Sequence, residues 1–120
     1  MVIQEPTFFI LTALTEKPLH GYGIMQAVGV LSDGRLTLRA GTLYAALDRL
    51  REDGLLVVDR EEAVDGRLRR YYQLTGDGAA ALQAEVVRLR ANASMAATKL
   101  RRSSHARLSP DGMGVTPNVA

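Results

Sequence analysis

The sequence predicts a mainly α-helical chain with a small β-ribbon, an α+β class, on three observations. Leu43, Ala46, Leu47 and Leu50 fall at i, i+3, i+4 and i+7, one face of a helix, and Gly54 follows where a helix ends in the left-handed region. Apolar and β-branched residues from Leu55 to Arg60, the turn pair Asp65-Gly66 and a return over Arg69–Leu74 predict a hairpin, with Arg67, Arg69 and Arg70 at its tip and on its return strand. Ala79, Leu82, Val86, Leu89, Ala93, Ala96 and Leu100 step alternately by three and four, an a/d seam held for about three heptads.

In chain order, Pro6 stands where a first-turn proline is tolerated, and Phe8, Phe9, Ile10, Leu11, Ala13 and Leu14 follow. A short helix apolar nearly all round needs cover on more than one side, and a second chain is the expected cover for one of them. Pro18 breaks this segment. His20-Gly21-Tyr22-Gly23 opens a second helix with Ile24, Met25, Val28 and Leu31 on one face, which Ser32-Asp33-Gly34 ends. Leu36 and Leu38 alternate with Arg35 and Thr37, which predicts a very short strand. The third helix spans about Ala40–Asp53, with Ala45, Asp48, Arg49 and Glu52 opposite its apolar stripe. After the hairpin, Thr75 is a good N-cap for the long helix, and Asp77 supplies negative charge in its first turn. A helix to enter a groove with a basic ribbon beside it makes a winged helix-turn-helix domain. The expected organisation is residues 1–74 as that domain with its N-terminal helix, 75–102 as a dimerisation helix, and 103–120 as a disordered tail marked by serines, Pro110, Gly112, Gly114 and Pro117.

Composition excludes more than it selects. The chain has no cysteine, so disulfides and thiolate metal sites are ruled out, and its two histidines, His20 and His105, form no pair at helical spacing. No metal or cofactor is expected: Gly21, Gly23 and Gly29 follow no strand, so they form no dinucleotide-type loop. No nucleophile–base pair stands out, so an enzyme is the weakest reading. Met1–Pro6 carry no Lys or Arg, and Phe8–Leu14 is too short to span a bilayer. The expectation is a soluble cytoplasmic protein with no membrane partner. The net charge of +2 hides an asymmetry: residues 1–87 hold nine Lys/Arg against twelve Asp/Glu, whereas 88–107 hold six Lys/Arg and no acid. Bulk charge therefore does not argue for nucleic acid in the head; only the local placement of arginines does.

Four linked motifs carry a family resemblance. His20-Gly21-Tyr22, Gly41-Thr42-Leu43-Tyr44, Glu52-Asp53-Gly54-Leu55-Leu56 and Arg70-Tyr71-Tyr72-Gln73-Leu74-Thr75 recur in the order and with the gaps seen in the PadR family of bacterial transcriptional regulators, which the chain resembles from about Phe8 to Leu100. One departure is Leu68, where the family's wing often has proline. The resemblance implies a winged-helix regulator of the short subgroup, dimerised through its N-terminal and long C-terminal helices. Phe8, Phe9, Leu82, Val86, Leu89, Ala93, Ala96 and Leu100 are the expected dimer residues. Some short relatives bind flat aromatic compounds in a dimer cavity. Here the distal helix has no Trp, Tyr or Phe to stack on one, and a small-molecule effector stays unnamed.

The candidate DNA contacts are Tyr22, Arg39, Gly41, Thr42, Tyr44, Arg49, Arg67, Arg69 and Arg70. Gly41 lets a backbone or base edge come close at a helix N-terminus, where free N–H groups favour phosphate. Thr42 either offers its hydroxyl or caps the helix; Tyr44 either contacts DNA or packs against the wing; Tyr22 either bonds a phosphate or is half-buried. Arg39 and Arg49 are read as contacts, while Arg51 is read as pairing with Asp48, Glu52 or Asp53. Strand alternation sends Tyr72 and Leu74 inward, which makes Arg69 the more exposed of Arg69 and Arg70. The competing role for the wing arginines is pairing with Asp59, Glu61, Glu62 or Asp65. The leading expectation is a homodimeric repressor on an inverted repeat of double-stranded DNA. A ligand-sensing dimer and a winged-helix protein-interaction module are the alternatives.

Overall fold

The computed structural model describes residues 3–103. The elements run α1 (Glu5–Ala13), β1 (Leu19–His20), α2 (Gly21–Leu31), α3 (Ala40–Glu52), β2 (Leu56–Val64), β3 (Arg67–Leu74) and α4 (Gly76–Arg102). The strands form one antiparallel sheet in the order β1-β3-β2. Apart from Ser103, the tail expected to be disordered lies outside the described residues.

The chain divides into two compact units, one ending at Glu85 and the other beginning at Val86. In the first, Ile10 and Leu11 of α1, Ile24 and Val28 of α2, Leu43 and Leu47 of α3, and Tyr72 of β3 are all buried in one core. A fully buried side chain of this size contributes roughly 2 kcal/mol. The α3 stripe is covered as its spacing predicts: Leu43, Ala46, Leu47 and Leu50 are all buried. On α2 the match is partial. Ile24 and Val28 are buried and Met25 packs against the core, but Leu31 in the last turn is exposed, beyond the reach of that stripe. Ala81 and Leu82 of α4 also pack against this core.

Local chemistry fixes the ends of these elements. Gly54 (φ +78°) follows α3, its N–H bonding the Arg51 carbonyl at 3.0 Å while the Leu55 N–H bonds that of Leu50 at 2.9 Å. That is a Schellman cap, and buried Leu55 is its hydrophobic follower. Asp33 and Gly34 close α2 in the same way, through Val30 at 3.0 Å and Gly29 at 2.8 Å. The Thr75 hydroxyl accepts the Gly78 N–H at 3.0 Å, the N-cap bond expected of it, and donates to the Gly54 carbonyl at 2.7 Å.

Two predictions about strands need correction. Leu36 and Leu38 alternate in burial as expected, but they form no strand. β3 has one edge left open by β2, and Leu19–His20 takes it, pairing Leu19 with Tyr72 and His20 with Tyr71. Buried Ser32 holds the α2–α3 loop instead, its hydroxyl accepting the Leu36 N–H at 3.0 Å. The hairpin is also longer than its apolar residues suggest. Val64 pairs with Arg67 across Asp65-Gly66, whose positive φ values of +51° and +76° make a type I′ turn. The register slips between Val58 and Arg60, leaving Asp59 as the extra residue of a β-bulge.

In α4, Val86 is half-buried, Leu89 is 42% exposed, Ala93 and Ala96 are exposed, and Leu100 is 60% exposed. Glu85, one position before the seam residue Val86, is buried at 4% exposure, which the a/d spacing did not predict. Phe8 and Phe9 are half-buried, their rings meeting edge to face at 5.5 Å. Among the described residues, no helix is long and apolar enough to cross a membrane.

Candidate nucleic-acid interface

The candidate contacts come from three places in the first unit: the start of α2, α3 with its N-cap, and the β2–β3 hairpin. α3 begins with Arg39 as N-cap and no side-chain cap. Among the described residues, the amides of Ala40, Gly41 and Thr42 therefore find no acceptor, and they point out of the helix at its positive end. Thr42 does not cap the helix, so its hydroxyl is available. Gly41 and Thr42 are exposed, and a Cβ on Gly41 would meet open space.

The outer side of α3 presents two rows. Gly41, Thr42, Ala45 and Arg49 border a cleft of about 460 Å³ shared with Gln4, Pro6 and Leu38. Tyr44 and Asp48 border a larger one, about 900 Å³, between α3, the start of α2 and the hairpin, where Tyr22, Arg67, Arg69 and Arg70 also lie. Tyr22 is 61% exposed, which removes the half-buried alternative. Tyr44 is 44% exposed, and its hydroxyl lies so close over Gly21 that a Cβ there would collide with it. The glycine before Tyr22 is thus a spacing device that lets α3 lie against the start of α2, with Tyr44 packed over it.

The arginines sort into paired and unpaired. Among the described residues, Arg39, Arg49, Arg67 and Arg69 make no ion pair. Arg51 makes none either, so its expected partners Asp48, Glu52 and Asp53 stay apart from it. Arg70 donates from Nε to Glu61 at 2.9 Å, the strand partner directly opposite. The predicted order of exposure on β3 is reversed: Arg70 is exposed and Arg69 only half-exposed. Inward alternation buries Tyr72, but by Arg70 the ribbon has left the core. Arg69 shares its face with Tyr71 and His20.

That outer face holds a cluster the sequence did not signal. His20 lies 5.3 Å from Tyr71, ring centre to ring centre, and the Arg60 guanidinium lies over the same ring at 3.9 Å. Arg60 also donates to Asp59 at 2.9 Å and to Glu62 at 3.1 Å. Burial holds the His20 pKa below its ordinary value, and the charge on Arg69 adds to the effect. The Arg60 hydrogen bond, followed by one from Tyr71, holds the Glu62 carboxyl below the usual carboxylate range. The described residues include no group of His, Asp or Glu side chains arranged to hold a metal ion.

A helix pair with its second helix exposed along one side and a basic hairpin beside it defines a winged helix-turn-helix domain, a fold built to present one helix to a groove. The chain belongs to the PadR-like family of transcriptional regulators, whose model matches residues 10–84, and the members of this family act on transcription rather than as enzymes. A transcriptional regulator of Mycobacterium tuberculosis, Rv3488, is 42% identical over 73 residues, which cover 61% of this chain and 64% of that protein. The chain thus spans less than two thirds of that relative's length. A PadR family regulator from Clostridium difficile superimposes with a TM-score of 0.65 at 26% identity, covering 78% of this chain and 95% of that one. Bacillus subtilis PadR, solved in complex with operator DNA, matches with a TM-score of 0.60 at 21% identity, covering 67% of this chain and 46% of that one.

Proposed function

We propose that this PadR-like regulator is a cytoplasmic repressor that binds an inverted-repeat operator in double-stranded DNA as a homodimer. The observation that carries the reading is the set of unpaired donors on one domain: the free amides and Thr42 hydroxyl at the start of α3, Arg49 two turns on, and Arg67 and Arg69 on the hairpin. In this reading α3 enters the major groove, Arg49 reaches base edges or phosphate, and Tyr22, Arg39 and Tyr44 reach the backbone. The hairpin meets adjacent phosphates or the minor groove. The exposed α4 seam through Leu89 and Leu100 joins two copies, together with Phe8 and Phe9, and the two α3 helices fall about 34 Å apart on one face of the duplex. The operator complex of Bacillus subtilis PadR supports the choice of duplex DNA as partner.

The test is a mobility-shift titration over a range of salt, using DNA from just upstream of the protein's own reading frame. Wild-type binding should weaken steeply with salt. Changing Arg67, Arg69 and Arg70 together to Ala should lower the slope of log K against log salt by about 1.8, the value for two phosphate contacts, because Arg70 is already held by Glu61. An unchanged slope would remove the wing from the interface. The net negative charge of residues 1–87 favours a second reading, a winged-helix module that binds a basic protein surface. A wild-type chain that ignores every duplex at low salt would promote it.

A further inference from the structure

Two neighbouring registers of the hairpin place an acid opposite an arginine, and they behave differently. Glu61 faces Arg70 and pairs with it at 2.9 Å. Glu62 faces Arg69, in the position where opposite charges on adjacent strands ordinarily meet, yet no ion pair joins them. Glu62 is taken by Arg60 instead, through Nε at 3.1 Å, while Nη1 of the same guanidinium holds Asp59 at 2.9 Å. The bulge creates this arrangement. The extra residue Asp59 shifts Arg60 into register with Tyr71, and the guanidinium carbon lies over that ring at 3.9 Å. A planar fork with five donors can stack on an aromatic face and serve two carboxylates at once.

We propose that Arg60 is a positioning residue of the wing: by occupying Glu62 and Asp59 it holds Glu62 off Arg69, and so keeps the Arg69 guanidinium available to a phosphate of duplex DNA. This rests on the DNA-binding reading above and adds a residue that contacts no DNA itself. The Arg70–Glu61 pair is the internal control, because among the described residues no second cation pairs with Glu61 and the facing pair closes. Glu62 and Arg69 face each other directly across the ribbon, which puts the carboxylate within reach of either arginine. Exposed ion pairs are individually weak, so the exchange needs little driving force.

The experiment uses the full chain and a duplex that the wild type shifts, at salt from about 50 to 200 mM. Arg60→Met should bind roughly five- to tenfold more weakly, on the order of one ordinary net hydrogen bond, at the low-salt end. Its salt slope should fall by about 0.9, the value for one phosphate contact. The double variant Arg60→Met with Glu62→Gln should regain both the wild-type affinity and the wild-type slope, because the acid directly opposite Arg69 is gone. If Arg60→Met does not fold, as judged by its melting curve, Arg60→Gln replaces it in both arms with the same expected outcomes. A single variant indistinguishable from wild type overturns the inference. So does a double variant as weak as the single one, since Arg60 would then be touching the duplex itself or supporting the hairpin. A wild type that shifts no duplex overturns the DNA-binding reading itself, and this inference with it.

Discussion

α3 and α4 carry equally regular apolar stripes, yet the fold treats them in opposite ways. On α3, Leu43 and Leu47 are completely buried beneath α1, α2 and the sheet. On α4, Leu89 and Leu100 are 42% and 60% exposed, and Met95 and Val87 add further apolar surface. Helical spacing states which face of a helix wants cover; it does not state whose atoms supply it. For α3 the chain supplies its own. For the distal part of α4 the proposed supplier is a second copy.

The difference can be broken by mutation. Leu47→Ala opens a cavity in a closed core, so it should destabilise the head by about 3 kcal/mol, read from denaturant midpoints and independent of protein concentration. Leu89→Glu should leave the folding of the head intact and convert the assembly to monomers at micromolar concentration, measured by sedimentation. A dimer that survives this change would remove the seam from the proposed interface. Thr75→Ala tests the point where the two helices are tied. Loss of the cap should cost about 1 kcal/mol, seen as a lower melting temperature. The smallest effect should come from His20. Its pKa is lower in the folded chain than in the unfolded chain, so the unfolded state binds the proton more readily. Its contribution to stability is complete above the ordinary imidazole value of about 6.5 and is lost as pH falls below it. His20→Gln should therefore lose less stability than wild type on acidification, measured as denaturant midpoints across a pH series.

Much of the fold was legible because its signals are local. The α3 stripe, the Gly54 cap, the Asp65-Gly66 turn and the Thr75 cap each depend on a few adjacent residues, and each forms as read. What was not legible depends on competition between distant segments. Leu36–Leu38 has strand alternation, but the open edge of β3 goes to Leu19–His20, and no local pattern announces that choice. The site divides along the same line. That Gly41, Thr42 and Arg49 lie on the exposed side of α3 follows from the period alone. Which wing arginine is free could not follow from alternation, because it turns on the bulge at Asp59 and on Arg60, and an acid-rich strand gives no hint of a bulge. Tyr44 was equally unreadable. Its place over Gly21 depends on how two helices meet, not on either helix by itself.

The hydroxyl of Thr75 has a mechanical consequence. It bonds the carbonyl just past the end of α3 and the amide in the first turn of α4, while its own backbone N–H bonds the Leu55 carbonyl at 3.1 Å. Inside the head, the end of α3 and the root of the long helix are thus joined at one residue. A displacement of that root against the end of α3 would have to stretch or open these three hydrogen bonds, so one hydroxyl and one amide couple the two helices mechanically.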